Sequence, residues 1–151
     1  MGVGDTGDYL KPYGQCDFYV SMDAGQTWTK ARDGPYKYEF GDQGGILVAI
    51  QDQEKADKIL YSFNYGQTWQ EFGLGVEITP VFLNTLPDST GEKFTLLGKK
   101  SADKKFVLFS LGFEGMRSRK CKLDKNGGGD FEKWYARYDD QGSLICKNML
   151  T

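Results

Sequence analysis

The sequence predicts an all-β fold, and two features of the 151-residue chain carry that prediction. Glycine supplies 20 residues, about twice its usual share, and aromatic residues make up 15% of the chain. Many glycines together with many aromatic residues favour short strands that are joined by tight turns. The second feature is an eight-residue segment that occurs twice, which indicates that one β unit is repeated.

The repeated segment begins at Ser21 and again at Ser62, 41 residues later, and five of its eight positions are identical. Its glycine can take a positive φ, and its Asp or Asn oxygen can accept backbone N–H bonds. Each copy is therefore predicted to be the turn of a β-hairpin, an Asp box. The box positions are Ser21, Asp23, Gly25, Thr27 and Trp28 in the first copy and Ser62, Asn64, Gly66, Thr68 and Trp69 in the second.

Asp23 is expected to be a structural turn cap, in preference to a calcium ligand or a catalytic acid. Asn64 stands at the matching position, and its amide oxygen accepts a hydrogen bond but cannot act as a general base. Trp28 and Trp69 begin the outgoing strands, where a large ring can pack between neighbouring sheets. On this view Trp28→Ala removes a core side chain and costs about 3–5 kcal/mol, whereas Asp23→Asn costs much less.

The chain between the two boxes contains two more predicted strands. Tyr36–Phe40 alternates aromatic and polar residues, and the apolar run 46–50 is typical of a strand that is buried on both faces. Gly41–Gly45 is a turn cluster without the Lys-Ser/Thr of a phosphate-binding loop. One repeat thus holds about four short strands, which is the size of one propeller blade. Further strands of a weaker third unit are predicted at Val81–Leu83, Phe94–Leu97 and Phe106–Phe109.

These elements predict a partial β-propeller over residues 1–115, with two to three four-stranded blades and Asp-box hairpins. The texture of the sequence changes near Gly115, and residues 116–151 form a predicted short tail that holds two of the cysteines, Cys121 and Cys146. Propellers usually close with four to eight blades, and a blade needs neighbours to bury both of its faces. The chain is therefore expected to form part of a larger ring.

The composition of the chain excludes or disfavours several classes of function. With 19 basic and 21 acidic residues the net charge is −2, which does not favour binding to nucleic acid. The chain has no histidine, so a histidine base, metal ligand or pH switch is excluded. No apolar run reaches the ~18 residues of a membrane span, and the amino terminus has neither the basic region nor the apolar core of a signal peptide.

The tail contains three weaker signals. Asp124–Asp130 resembles the start of a calcium-binding loop but lacks ligands at later positions, so a flexible loop is expected. A small basic patch is more typical of a solvated turn than of a binding site. A disulfide is possible for Cys121 and Cys146, although spacing does not reveal their partners. The patch consists of Arg117, Arg119, Lys120 and Lys122.

Several stretches resemble the luminal domain of the sortilin-type vacuolar protein-sorting receptors, above all the fungal members. Gly34–Val48 and Trp134–Tyr138 are specific matches, whereas the box alone is shared with sialidases and other propellers. The resemblance extends to about Cys146 and also includes Val3–Leu10, Cys16–Trp28, Tyr61–Trp69 and Asp130–Tyr138.

The resemblance implies a ten-bladed propeller followed by a cysteine-rich module, of which this chain would supply the last blades and the start of the module. It implies a type I membrane receptor that cycles between late Golgi and endosome and binds hydrolase precursors in the lumen. The expected partner is thus a protein or propeptide cargo, with membrane contact only through parts of the receptor that this chain lacks. The resemblance also implies that the cargo site lies inside the propeller tunnel, on blades largely absent here, so it implies no cargo-binding residue in this chain.

Two other functions stay open at this point. A sialidase-like glycoside hydrolase would need an arginine cluster, a tyrosine nucleophile and acids on the ring axis. The arginines of this chain do not occupy central positions in the predicted strands, so no enzyme activity and no cofactor are expected. A stand-alone protein-interaction module is the other alternative. The arginines in question are Arg32, Arg117, Arg119 and Arg137.

Overall fold

The structure is a computed structural model that describes residues 1–85, 91–116, 119–120, 134–138 and 144–148. It divides the chain into two compact units, Met1–Leu111 and Gly112–Thr151. In the described ranges every regular element is a β-strand or a short 3-10 turn, and none is an α-helix. The all-β class that the sequence predicts is therefore confirmed.

The strands of the first unit follow the predicted positions closely, and three short strands belong to the second unit. Their bounds are β1 Gly2–Gly4, β2 Asp17–Val20, β3 Thr29–Arg32, β4 Tyr36–Gly41, β5 Ile46–Gln51, β6 Ala56–Ser62, β7 Gln70–Asn84, β8 Lys93–Lys100, β9 Phe106–Gly112, β10 Arg119–Lys120, β11 Trp134–Tyr138 and β12 Leu144–Asn148.

A three-stranded antiparallel sheet contains the first Asp box. Its strand order is β1-β2-β3, with Val3 opposite Phe18 and Val20 opposite Thr29. The box is the connection between β2 and β3. Phe18 and Val20 point to the buried face of this sheet, since side chains alternate along a strand.

A six-stranded antiparallel sheet contains the second box and follows the order β4-β5-β6-β7-β8-β9. The box connects β6 to β7 and therefore occupies the place that the first box takes between β2 and β3. The strand β5 is buried from Ile46 to Ile50, as its unbroken apolar run predicts. Leu47, Val48 and Ala49 pair with β6, which places β5 inside the sheet.

The two sheets pack face to face around one aromatic cluster. Phe18 of the first sheet stacks on Tyr36 and Tyr38 of β4, with ring centroids 5.3 and 5.7 Å apart. Ala49 and Leu60 from β5 and β6 complete the buried group on that side. Successive hairpin-built sheets that bury their faces against each other are the arrangement of a partial propeller.

The third predicted unit does not form a separate sheet. Val81–Leu83 is the far end of β7, a strand of 15 residues that pairs with β6 through its first half and with β8 through its second. The sheet curls, and the Asp42 N–H donates to the Gly91 carbonyl at 2.9 Å. Gly41 is needed at this crossing, because a Cβ there would meet the Phe94 ring. The predicted third-unit strands therefore extend the second sheet.

The second unit contributes a small antiparallel sheet with the order β10-β12-β11. In this register both Arg119 and Ala136 lie opposite Cys146. Cys121, the whole of the predicted calcium-like loop, and Arg117 and Lys122 of the basic patch lie outside the described residues. The assignment of residues 116–151 to a cysteine-rich module stays a prediction. Within the described ranges there is no helix that could span a bilayer.

Candidate functional site

The first Asp box is a turn closed by its own side chains. The Ser21 hydroxyl donates to Asp23 Oδ1 and accepts the Gly25 N–H, both at 2.8 Å. Asp23 in turn accepts the Thr27 N–H at 2.8 Å and the Thr27 hydroxyl at 2.6 Å. Ala24 and Gly25 have φ of 58° and 89°. The box thus supplies local acceptors where the backbone reverses, at the end of β2.

The second box repeats these bonds with an amide in place of the carboxylate. The Ser62 hydroxyl donates to Asn64 Oδ1 and accepts the Gly66 N–H, each at 2.9 Å. The Thr68 N–H donates to the same Asn64 oxygen at 3.0 Å. Here the Asn64 amide nitrogen donates to the Thr68 hydroxyl at 2.9 Å, so the threonine accepts where Thr27 donates. One turn geometry is therefore built with either charged or neutral chemistry.

The carboxylate of the first box is strongly stabilised in its ionised form. Hydrogen bonds from the Thr27 hydroxyl, the Thr27 N–H and the Ser21 hydroxyl lower the pKa of Asp23 to about 2. Both oxygens of this carboxylate bond inside the turn. A carboxyl group with so low a pKa is a poor general acid or base near neutral pH.

The tryptophan of the second box lies at the contact between the sheets. Trp69 meets Phe18 edge to face, with ring centroids 5.7 Å apart, and joins the buried cluster. Gly66 of the same box approaches Val20 so closely that a Cβ on it would lie 3.2 Å from the valine methyl groups. The second box therefore packs against the first sheet, through Trp69 and Gly66.

The tryptophan of the first box has a different environment, and the prediction that Trp28 is a core side chain is wrong. Its side chain is 50% exposed. The ring lies over Gly2, and its Nε1–H donates to the Gly25 carbonyl at 3.1 Å, so it packs on its own sheet. Burial comparable to that of Trp69 requires a sheet stacked on this side, and none of the described strands provides one.

The outer edge of β4 presents unpaired backbone groups. The N–H of Asp52, the residue after β5, donates to the Pro35 carbonyl at 2.9 Å. The backbone carbonyl of Pro35 therefore points towards the β5 side. The direction of backbone hydrogen bonds alternates along an antiparallel strand. The N–H and C=O groups of Lys37 and Glu39 therefore also point to β5, whereas those of Tyr36 and Tyr38 point away from it. In the described part of the chain no strand pairs with this edge.

An open groove runs along the same edge and is lined by aromatic and apolar side chains. Three consecutive residues of β4 line the groove, although the side chains of consecutive residues point to opposite faces of the sheet. The groove therefore runs along the edge of the strand. The far end of β7 forms the opposite wall. The lining residues are Tyr13, Tyr36, Lys37, Tyr38, Val81, Phe82 and Leu83, around a volume of about 330 Å³.

A polar cluster fixes one end of the groove. Asp52, which is 8% exposed, accepts the Tyr13 hydroxyl at 2.9 Å and the Lys37 ammonium at 3.1 Å. Burial and the hydrogen bond to Asp52 raise the pKa of Tyr13 to about 12. These contacts hold Tyr13 and Lys37 in place, which gives the groove a preformed wall.

No motif in the sequence indicates this groove. Tyr13 and Asp52 are 39 residues apart, and neither belongs to a motif. The predicted strands at Tyr36–Phe40 and Val81–Leu83 each supply part of the lining, but nothing in the sequence shows that they lie side by side. Among the described residues no group of three or more acidic or cysteine side chains could hold a metal ion.

The comparisons with known proteins agree with the fold and with the residues that suggested it. The family model Sortilin-Vps10, described as sortilin, neurotensin receptor 3, matches residues 1–83. A second model, Sortilin_C, described as the C-terminal part of the same proteins, matches residues 85–148. This chain belongs to the Sortilin-Vps10 family. The resemblance read from the sequence is therefore confirmed.

Fungal members of the family are similar along nearly the whole chain. "Vacuolar protein sorting/targeting protein 10" of Aspergillus clavatus is 49% identical over 147 residues, and that of Aspergillus flavus is 45% identical over 148 residues. The protein with the same name from Aspergillus terreus is 43% identical over 150 residues. Each alignment covers 97% of this chain and 10% of the relative. The chain thus spans about a tenth of the length of these Sortilin-Vps10 proteins.

The two Sortilin-Vps10 family models meet within the curled sheet. The first ends at residue 83 and the second begins at residue 85, next to the end of β7. In the structure the far half of β7 pairs directly with β8. Both family segments therefore contribute strands to one sheet of the first unit.

Proposed function

We propose that this chain is part of the luminal cargo-binding region of a sorting receptor that delivers hydrolase precursors from the late Golgi to the endosome or vacuole. Membership of the Sortilin-Vps10 family and the sorting names of the fungal relatives support the role. Golgi and endosome lumen is the proposed location. The resemblance places the family's cargo site largely on other blades; within that region, this chain's proposed contribution is to bind a segment of the precursor through the open edge of β4.

The observation that carries this proposal is the combination of outward-facing backbone groups and a groove of mixed aromatic, apolar and polar lining at one strand edge. An extended peptide can add to an open edge by main-chain hydrogen bonds, while flanking side chains select the residues of the peptide. Tyr36 and Tyr38 supply the main-chain groups, and Val81 lies across the groove, 45% exposed. The site suits a short extended segment of a precursor.

The test measures binding of synthetic propeptide segments of fungal vacuolar hydrolases to the full chain by fluorescence anisotropy. Val81→Arg would fill the groove and should weaken binding by about tenfold or more. Thr79→Arg is the matched control, because it adds the same side chain two residues away on an exposed part of β7 outside the groove. Equal affinities of the two variants would contradict the site.

A second version of the test changes the peptide and leaves the protein intact. Methylation of alternate backbone nitrogens in a bound segment removes its N–H donors and keeps its side chains. If the peptide adds as a strand, methylation on the side that faces β4 should abolish binding, and methylation on the opposite side should not. Binding that is indifferent to both modifications would refute strand addition.

We also propose that the two Asp boxes are structural corners and that the chain is not an enzyme. The hydrogen bonds of Asp23 and Asn64 stay within their turns. The one described arginine of the first sheet, Arg32, bonds to the Ala31 carbonyl. The sialidase alternative predicts turnover of an aryl sialoside. Turnover that is lost on substitution of a carboxylate residue would overturn this part of the proposal.

A further inference from the structure

The open edge of β4 contains a carboxylate that has no cation beside it. This carboxylate belongs to Glu39, and in the described ranges no lysine or arginine forms an ion pair with it. Lys37, the nearest cation in the sequence, is bound to Asp52, with Nζ 3.1 Å from Oδ2. The charge of Lys37 is therefore balanced within the protein, whereas that of Glu39 is not.

The Glu39 side chain borders an apolar part of the sheet. Its partner on β5 is Val48, which is fully buried, and the side chains of two directly opposite residues lie on the same face. Burial raises the pKa of the Glu39 carboxyl, and a hydrogen bond from the Phe40 N–H offsets this effect in part. A partly buried carboxylate without a cation is unfavourable, and a cation placed beside it reduces that cost.

The backbone shows on which side of β4 this carboxylate lies. The N–H of Phe40 points away from β5, as do those of Tyr36 and Tyr38, because the bonding direction alternates along the strand. Since the Glu39 carboxylate accepts from the Phe40 N–H, it is turned towards the open side of β4. A side chain of an added strand can therefore reach it.

The register of an added strand brings one of its side chains directly opposite Glu39. The strands from β4 to β8 all pair antiparallel, so the segment is taken to add in the same way. The N–H and C=O groups of Glu39 point to β5, so Glu39 and the residue opposite it would form a non-hydrogen-bonded pair. The side chains of such pairs approach most closely, because their Cα atoms are only about 4.5 Å apart.

We propose that Glu39 selects a lysine or arginine in the bound segment, at the position directly opposite to it. This inference rests on the proposed function, because it requires a peptide strand at β4. The next residue of the segment on the same face lies opposite Lys37, whose charge Asp52 already balances, so no acidic residue is selected there. The cation would balance the Glu39 charge beside buried apolar side chains, where a charge pair is stronger than in water.

The experiment titrates the full chain with three capped peptides of alternating valine and threonine that differ only in the central residue, which is lysine, norleucine or glutamate. Norleucine keeps the alkyl chain of lysine and removes the ammonium group. The lysine peptide should bind about fivefold more tightly than the norleucine peptide and about tenfold more tightly than the glutamate peptide. Equal affinities for the three peptides would overturn the proposal.

Two protein variants assign the preference to Glu39. Glu39→Gln should remove the difference between the lysine and norleucine peptides, and Glu39→Lys should make the glutamate peptide bind better than the lysine peptide. Glu77→Gln is the matched control, because it removes the same charge from a half-exposed position of β7 outside the groove. It should leave the preference unchanged. A preference that falls equally in Glu39→Gln and Glu77→Gln would reflect the net charge of −2 and refute the pairing.

An NMR titration of the Glu39 carboxyl gives a local readout of the same contact. Saturation with the lysine peptide should lower the pKa of Glu39, because a nearby cation favours the ionised form. The norleucine peptide should not lower it. A pKa that fails to fall with the lysine peptide would contradict the pair.

The outcomes separate this inference from the proposed function. If propeptide segments bind and Val81→Arg weakens them, but the three peptides bind equally, the β4 groove stands and selection by Glu39 is refuted. If no peptide of either kind binds the parent chain, both proposals are refuted. Self-association of Glu39→Gln in sedimentation velocity, with no peptide preference in the parent chain, would instead assign Glu39 to protecting the open edge from strand pairing.

Discussion

Trp28 and Trp69 hold the same position in the repeated box, and the difference between them comes from what lies opposite. Trp69 has the ring of Phe18 in front of it, whereas Trp28 covers Gly2 and is half exposed. The eight-residue pattern determines the turn, but burial depends on a neighbouring sheet that no local sequence encodes.

The first prediction concerns this pair. Trp69→Ala should lower the free energy of unfolding by about 3 kcal/mol, because it opens a gap in the cluster between the sheets. Trp28→Ala should lower it by about 1 kcal/mol, because half of that ring is already in water. Urea unfolding, followed by the fluorescence of the tryptophans that each variant keeps, measures both changes in free energy. Equal losses would mean that the two boxes have the same environment.

The second prediction concerns Asp23 and pH. Its folded pKa of about 2 lies below the usual value, so its contribution to stability is complete above the unfolded pKa and is lost as the pH falls towards 2. Asp23→Asn keeps the accepting oxygen, as Asn64 does, and removes the titrating group.

The measurement compares the unfolding free energy of the parent chain and Asp23→Asn across the acid range. The two curves should converge as the pH falls below the usual aspartate pKa, because the parent alone loses a titrating contribution there. Asn64→Ala is the control, since its effect should not vary with pH. A difference in unfolding free energy between the parent chain and Asp23→Asn that stays constant with pH would show that the hydrogen bonds of the turn do not stabilise the Asp23 carboxylate.

At the scale of elements, the curl of the six-stranded sheet depends on close backbone crossings. A Cβ on Gly41 would meet the Phe94 ring and lie 2.8 Å from the Gly91 carbonyl, which is backbone and cannot move aside. Gly98 lies diagonally opposite Ile78 on the paired strand β7, where a Cβ on the glycine would lie 2.9 Å from the isoleucine Cβ. The absence of a side chain at Gly41 therefore lets the Phe94 ring of β8 lie against the end of β4.

The third prediction follows from these contacts. Gly41→Ala should destabilise the first unit by about 1–3 kcal/mol through overpacking. Gly73→Ala, where a Cβ would meet nothing within 4 Å, should leave stability within about 0.5 kcal/mol of the parent. Thermal unfolding of both variants gives the comparison. A neutral Gly41→Ala would contradict the close approach of Gly41 to Phe94 and the Gly91 carbonyl.

The sequence predicts the individual strands better than their assembly. Alternation at Tyr36–Phe40 and the apolar run at 46–50 correspond to β4 and β5, because local periodicity reports which faces are buried. Val81–Leu83 looked like the start of a third unit but is the end of β7. Strand continuity across Gly73 and Gly75 is decided by pairing with two different neighbours, which a single segment does not reveal.

The candidate site was less predictable than the fold for the same reason. The groove at β4 joins Tyr13, Asp52 and Val81, which are far apart in the chain and belong to no motif. Its essential property, an edge with no strand beside it, exists only once the sheet order is known. The Asp boxes are recognisable in the sequence, but their side chains stabilise the turns and do not form the groove.

At the scale of the whole molecule, the chain is a part of a Sortilin-Vps10 protein, and its proposed role is to bind protein. Two stacked sheets place an open strand edge beside a preformed aromatic groove, and the rest of the first unit holds that edge in position. The central claim is that this edge is free and accepts a peptide strand.

Amide hydrogen exchange along β4 tests that claim most directly. In the free chain the N–H groups of Lys37 and Glu39, which face β5, should exchange slowly, and those of Tyr36 and Tyr38 should exchange fast. A bound propeptide segment should slow Tyr36 and Tyr38 and leave Lys37 and Glu39 unchanged. Slow exchange at all four positions in the free chain, or no change at Tyr36 and Tyr38 under saturating peptide, would contradict the account.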